Sequence, residues 1–114
     1  MKPKVSFIIP ALNEEKRIAI LIDNINKLDK NYNYEIIVAD GNSTDKTREI
    51  AENMGAIIIR DNKDAPKTIA NGRNTGASLA SGEILESYHF FLKYFRSEID
   101  NYETKSIFYY SFIK

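Results

Sequence analysis

With 114 residues, 43% of them apolar and 28% charged, the chain has room for one globular domain and no compositional reason to be disordered. Sixteen basic side chains balance sixteen acidic ones, so no electrostatic case arises for nucleic acid or an anionic membrane surface. There is no cysteine, which excludes disulfides, zinc fingers and thiol chemistry together, and no apolar run nears the roughly 18 residues of a membrane-spanning helix. The start, "MKPKVSFIIPALNEE", is basic and briefly apolar, but Pro10 and the charge after it fit a core strand better than a signal peptide. A cytoplasmic location is the expectation.

The first predicted element is "VSFIIP", Val5 to Pro10, an unbroken β-rich apolar run of the kind a strand buried on both faces needs. "NEEKRIAILIDNINKLDK" follows as a helix, with Asn13 as its N-cap, Glu14 and Glu15 in the first turn, and Ile18, Leu21, Ile22, Ile25 and Leu28 on one face. "YEIIVAD" is a second buried strand ending at Asp40. "GNSTDKTREIAENMG" reads as a helix capped by Ser43 or Thr44, running through Met54 and stopped by Gly55. "AIIIRD" is a third strand, and "APKTIANGRNTGASLASG" a third helix from Pro66 to Gly82. Strictly alternating strands and helices predict a mostly parallel sheet with right-handed crossovers, a Rossmann-like three-layer α/β/α fold. Ligands of such sheets sit beyond the carboxyl ends of the strands, here residues 10–14, 40–45 and 60–64.

Three motifs fall in or beside those ends. "IPALNEE" lets the backbone turn outward at Pro10 and projects Asn13 and Glu14 over the sheet edge, although a helix cap with dipole-favourable acids would look the same. "VADGNSTDKT" ends a buried strand on Asp40, a carboxylate able to accept a ring N–H of a base; a plain turn and cap is the alternative. "GRNTGASLASGE" offers Arg73, a permanent planar cation suited to a base face or a phosphate. Its helical Gly72 and Gly76 each cost about 1 kcal/mol relative to Ala, which points to close packing or a ligand.

In their order, "VSFIIPALNEE", "EIIVADGNSTDKT" and "GRNTGASLASGEIL" resemble the nucleotide-binding half of the family 2 glycosyltransferases, inverting enzymes of the GT-A fold. The resemblance covers residues 5–85, about three quarters of the chain. It implies that Pro10, Ala11, Asn13 and Glu14 line the nucleotide pocket, that Asp40 hydrogen-bonds the base (usually uracil), and that Arg73 is the basic residue beside the nucleotide. Gly41 departs from the pattern, since many members carry a second acid there. Gly82 and Glu83 match the small-then-acid pair before the fourth strand. The implied ligand is a nucleotide-sugar, a UDP-sugar above all, for transfer of the sugar to an acceptor.

After "GEIL" the family continues as a strand ending in Asp-x-Asp, whose acids hold Mg²⁺ or Mn²⁺ against the departing diphosphate. This sequence has "ESYHFF", with His89 and Phe91 where the acids belong. Phenylalanine binds no metal, and a single His suits a hard cation poorly. No metal ligand, no catalytic residue and no bound cofactor is therefore expected of this chain. Composition breaks at the same place: of thirteen aromatics, ten lie at or beyond Tyr88, and Gly and Pro vanish after Gly82. Residues 1–85 are expected to form the nucleotide-sugar-binding half, and residues 86–114 a divergent tail. In the tail, "ILESYHFFLKYFRSEI" has helical spacing at Leu85, Tyr88, Leu92, Phe95 and Ile99, and "SIFYYSFI" reads as a short aromatic strand. The acid pair Glu98 and Asp100 reads as a solvated face. A truncated or frame-shifted gene would explain the break. Such a chain would be inactive alone, with a bare sheet edge and a sticky tail through which copies could associate. The alternative is a nucleotide-binding module without chemistry.

Overall fold

A computed structural model describes residues 5–28, 30–61, 68–90 and 107–113, of which 69–70, 86–90 and 107–113 are described by their backbone. The elements run β1 (Val5–Ala11), α1 (Ile18–Asn26), β2 (Tyr34–Asp40), α2 (Thr47–Asn53), β3 (Ile57–Arg60), α3 (Ile69–Leu79), β4 (Ile84–Phe90) and β5 (Ile107–Ile113). They build one five-stranded sheet in the order β3-β2-β1-β4-β5. The first four strands are parallel; β5 pairs antiparallel with β4. This is the α/β, Rossmann-like architecture that the alternating pattern predicts.

β1 is the central strand and is buried along its whole length, which is why its sequence is apolar without alternation. Phe7 and Ile9 point to the face covered by α1 and α2, where they meet Ile18, Leu21, Ile22, Ile25, Val38 and Ala51. Ile8 points the other way and packs with Ile37, Leu85, Ala77 and Ala80 under α3. α3 runs against the strand direction, and its glycines set its distance from the sheet. A Cβ on Gly72 would stand 2.8 Å from the Pro10 Cβ, and one on Gly76 would overlap the Ile8 Cγ2. Close packing, not a ligand, explains both glycines. At the amino end of the sheet, Glu35 Oε1 accepts from Ser6 Oγ (2.7 Å), Ser81 N (2.9 Å) and Ser81 Oγ (2.8 Å), and Ser6 Oγ accepts from Gly82 N (2.8 Å). That knot ties the entry of β4 to β1 and β2.

α1 is shorter than its sequence suggests at both ends. Asn13 is not its N-cap: its backbone is left-handed (φ 53°), the chain makes a turn first, and the helix starts at Ile18 with no side-chain cap. At the other end the Lys30 ammonium donates to the carbonyls of Ile25 (2.6 Å), Leu28 (2.9 Å) and Asn26 (3.3 Å), and Leu28 is left 45% exposed, off the core face. α2 likewise starts at Thr47, after the predicted caps Ser43 and Thr44, which are used elsewhere. Its end is as predicted. Gly55 sits at φ 88°, with its N–H on the Glu52 carbonyl and the Ala56 N–H on the Ala51 carbonyl, a Schellman stop. α3 is capped by Thr68, whose hydroxyl accepts from Asn71 N (3.0 Å); Pro66, its predicted start, lies outside the described residues.

The largest correction concerns the tail. Residues 84–90 form a strand, not the start of an amphipathic helix, because β1 offers a free edge that β4 fills from Val5↔Ile84 to Ile8↔Ser87. Ile, Tyr and Phe suit a pleated surface, and the tertiary partner decides between two readings of one apolar run. The remainder of the expected helix, 91–99, including Glu98, lies outside the described residues, as does Asp100. The expected bare edge is also absent: β4 is paired on both sides, with β5 covering the outer one from Ile84↔Ile113 to Phe90↔Ile107.

Candidate functional site

The loops after β1 and β2 leave the carboxyl edge of the sheet side by side, joined first by Gly41 N donating to the Ala11 carbonyl (2.8 Å). Beyond that point each loop supplies the caps of the other. Asn13 N donates to Ser43 Oγ (2.9 Å), Glu14 N to Thr47 Oγ1 (2.8 Å) and Glu15 N to Asp45 Oδ2 (3.2 Å). In return Thr44 N donates to Asn13 Oδ1 (2.9 Å) and Lys46 N to Glu15 Oε2 (3.1 Å). The N–H groups that an ordinary helix start would satisfy with its own cap are thus satisfied across the gap. This is why Asn13, Ser43 and Thr44, all read as local caps, cap nothing locally.

Asp40 anchors the arrangement from below. It has no exposed surface. Its Oδ2 accepts from Ser43 N (2.9 Å) and from Arg48 Nη1 (2.7 Å), and its Oδ1 from the Ser43 hydroxyl. With its proton on Asp40, the Ser43 oxygen keeps a lone pair for Asn13 N–H. A chain of hydrogen bonds therefore runs from the Arg48 guanidinium through Asp40 and Ser43 to the backbone of Asn13. Arg48 also donates to the Ser43 carbonyl (2.9 Å). Asp45 performs the matching task at the next turn, accepting from Thr47 N (2.9 Å), the Thr47 hydroxyl and Glu15 N. Desolvation works to raise its pKa, but those donors, Thr47 first, outweigh it and hold the carboxyl below its ordinary value of 3.8.

All six residues expected at a nucleotide site reach this one edge. Pro10 and Ala11 are buried at the end of β1, Asn13 and Glu14 form the first loop, and Asp40 closes β2. Arg73 is half-buried in α3, next to the Gly72 that lies on Pro10. The sequence reading missed Arg48, Asp45 and Thr47, which hold the loops. Arg48 was legible as a cation two turns after a buried acid; Asp45 was legible as an Asp two residues before a helix start. It also missed Asp61. This residue follows β3, is 6% exposed, receives Asn42 Nδ2 on its carbonyl (3.4 Å), and donates its N–H to the Asp40 carbonyl (2.9 Å).

The divalent metal implied by the resemblance needs oxygen ligands at the end of β4. That strand ends Tyr88-His89-Phe90, and among the described residues no three His, Asp or Glu side chains group to hold a metal ion. The residues present there do not fit a hard cation.

In open, mostly parallel α/β sheets, ligands are received at the carboxyl edge, where these two loops meet. The family model described as "Glycosyl transferase family 2" matches residues 6–92, and the chain belongs to that family. It is 36% identical over 85 residues to the 4,4'-diaponeurosporenoate glycosyltransferase of Staphylococcus haemolyticus, a match spanning 71% of this chain and 22% of that protein. It is 34% identical over 85 residues to the dolichol-phosphate mannosyltransferase of Pyrococcus furiosus, spanning 71% and 24%. Among solved structures it is similar to glucosyl-3-phosphoglycerate synthase from Mycobacterium tuberculosis, in a complex with Mn²⁺, UDP and glucosyl-3-phosphoglycerate. The TM-score is 0.65 at 29% identity, covering 76% of this chain and 33% of that one. The mannosyltransferase PcManGT from Pyrobaculum calidifontis, in complex with GDP-Man and Mn²⁺, gives a TM-score of 0.62 at 26% identity, covering 78% and 28%. The chain spans about a quarter of the length of the curated relatives it matches. No helix among the described residues is long and apolar enough to cross a membrane.

Proposed function

We propose that this chain is the nucleotide-binding portion of a family 2 glycosyltransferase, taking up a sugar activated by a nucleoside diphosphate for transfer to an acceptor. The observation that carries the reading is the pair of loops after β1 and β2, locked to each other through side chains and backbone at the carboxyl edge. A rim fixed before the ligand arrives loses little freedom on binding, which favours a small polar ligand. In this reading Pro10, Ala11, Asn13 and Glu14 form the wall of the pocket. Asp40 holds that wall in place through Ser43, and the Arg73 guanidinium faces the diphosphate. Relatives that carry the family name and bind UDP or GDP-Man support the substrate class.

One observation favours a second reading, a binding module without transfer: β4 ends on Tyr88-His89-Phe90, with no acid to hold a cation against a leaving diphosphate. Calorimetric titration with UDP and GDP, with and without Mn²⁺, separates the two. For this chain alone, which lacks the acceptor half, we expect binding of one nucleotide that does not change with Mn²⁺ and no turnover of UDP-glucose or GDP-mannose, an outcome that favours the module. Binding strengthened by Mn²⁺ together with turnover would establish the working transferase. Binding of neither nucleotide would sink both readings.

A further inference from the structure

Among the described residues two buried polar atoms have no hydrogen-bond partner, Asp61 Oδ1 and Asn71 Nδ2. One is an acceptor and the other a donor, and they do not meet each other. Alternation along β3 places Asp61 on the same face as Ile59, which packs against the cluster of Ile8, Ile37, Ala80 and Leu85 on the α3 side. Asn71 lies in the first turn of α3, beside the Gly72 that rests on Pro10. Both orphans therefore belong to the α3 side of the sheet at its carboxyl edge. The Asp61 backbone is fixed on both flanks, by Asp40 and Asn42, so its carboxylate is held at the site by structure rather than by chance. A buried carboxylate oxygen without a donor is a rare and costly state. A donor brought by a ligand resolves it.

We propose that Asp61 is the specificity-determining acid of the nucleotide pocket, accepting the ring N–H of the base. The inference rests on the nucleotide reading above. Asp40, the acid expected in this role, has no exposed surface and already receives three hydrogen bonds from Ser43 and Arg48. Position and charge assign Asp61 to the base rather than the phosphates. β3 lies two strands from β1, about 10 Å across the sheet, while Gly72, the neighbour of Arg73 in α3, rests on Pro10 at the end of β1. A second anion near a diphosphate would repel it, whereas a base N–H is the donor that a buried carboxylate lacks. The ligand class is a nucleotide whose base carries a ring N–H next to a carbonyl, as uracil and guanine do.

The test titrates the intact chain and Asp61→Asn with UDP and GDP, with each nucleotide methylated at its ring N–H, and with inorganic pyrophosphate. For whichever nucleotide binds, we expect methylation to weaken wild-type binding about tenfold, the scale of one charge-assisted hydrogen bond. Asp61→Asn should lose a similar factor for the parent nucleotide, show no further loss on methylation, and keep both its pyrophosphate affinity and its melting temperature. The methylated ligands test the idea on the wild-type chain even if the variant folds poorly. Unchanged nucleotide affinity in Asp61→Asn, or an equal loss for pyrophosphate, would overturn the assignment while leaving the nucleotide reading intact. If wild type binds neither nucleotide, that reading falls and takes this inference with it.

Discussion

Asp40 is a buried acid whose partners are all on its own side of the pocket, and this changes what its mutation reports. Asp40→Asn keeps the shape but turns an acceptor into a donor facing Arg48 and Ser43 N. We expect a loss of about 2–3 kcal/mol of stability, the cost of leaving a charge-assisted bond broken beside a cation that is itself partly solvated. Urea denaturation measures it, and a variant as stable as wild type would refute the anchoring role. Nucleotide affinity should fall only indirectly, through a loosened Asn13. Asp45 gives a pH signature. Its folded-state pKa lies below the ordinary 3.8, so its contribution is complete above that value and is lost as pH falls through the lower, folded one. Stability should be flat in this respect near neutrality and decline below about pH 4. Asp45→Asn should remove part of that decline, as acid titration of the melting temperature would show. At this scale the sequence was legible as chemistry but not as partnership. Asn13, Ser43 and Thr44 have the composition of helix caps, and local propensity says nothing about a cap delivered from a loop some 30 residues away.

The elements themselves follow their sequences closely where burial is uniform. β2 spans Tyr34–Asp40 as its apolar run predicts, and Gly55 stops α2 where a left-handed residue is needed. The β4 segment was misread because its spacing fits a helix, and only the vacant edge of β1 selects the strand. α3 shows how tightly an element can depend on two positions. Gly76→Ala would drive a methyl into Ile8, and we expect a loss of about 1–3 kcal/mol, as overpacked cores show. Adding Ile8→Val removes the δ-methyl of Ile8 but keeps both γ-carbons, including the Cγ2 in the way, so it should rescue little. Ile8→Ala combined with Gly76→Ala should do better than the sum of the two single changes. Strict additivity in thermal denaturation would show that the helix sits further from the sheet than described.

For the molecule as a whole, the order β3-β2-β1-β4-β5 places the expected pocket between loops that come early in the chain, and the family assignment rests on this same stretch. The fold was therefore readable from Val5 to Leu85, while the covering of β4 by β5 was not, because an antiparallel partner arriving after a long interval leaves no local signal. The central place of β1 also has a consequence in time. β2 reaches it through a single short crossover, but its other neighbour begins about 80 residues later. Until then the β4 side of β1 is open. Closing so long a loop adds little to the equilibrium cost yet delays the pairing that needs it. Folding should accordingly proceed in two stages. The β1–β2–β3 ladder would protect its amides first, and the Val5–Ile84 pairing would follow, locked by the serine–glutamate knot at the amino edge. Pulse-labelled hydrogen exchange during refolding would see this order, and simultaneous protection of both ladders would contradict it. The central strand would then be the last to be enclosed.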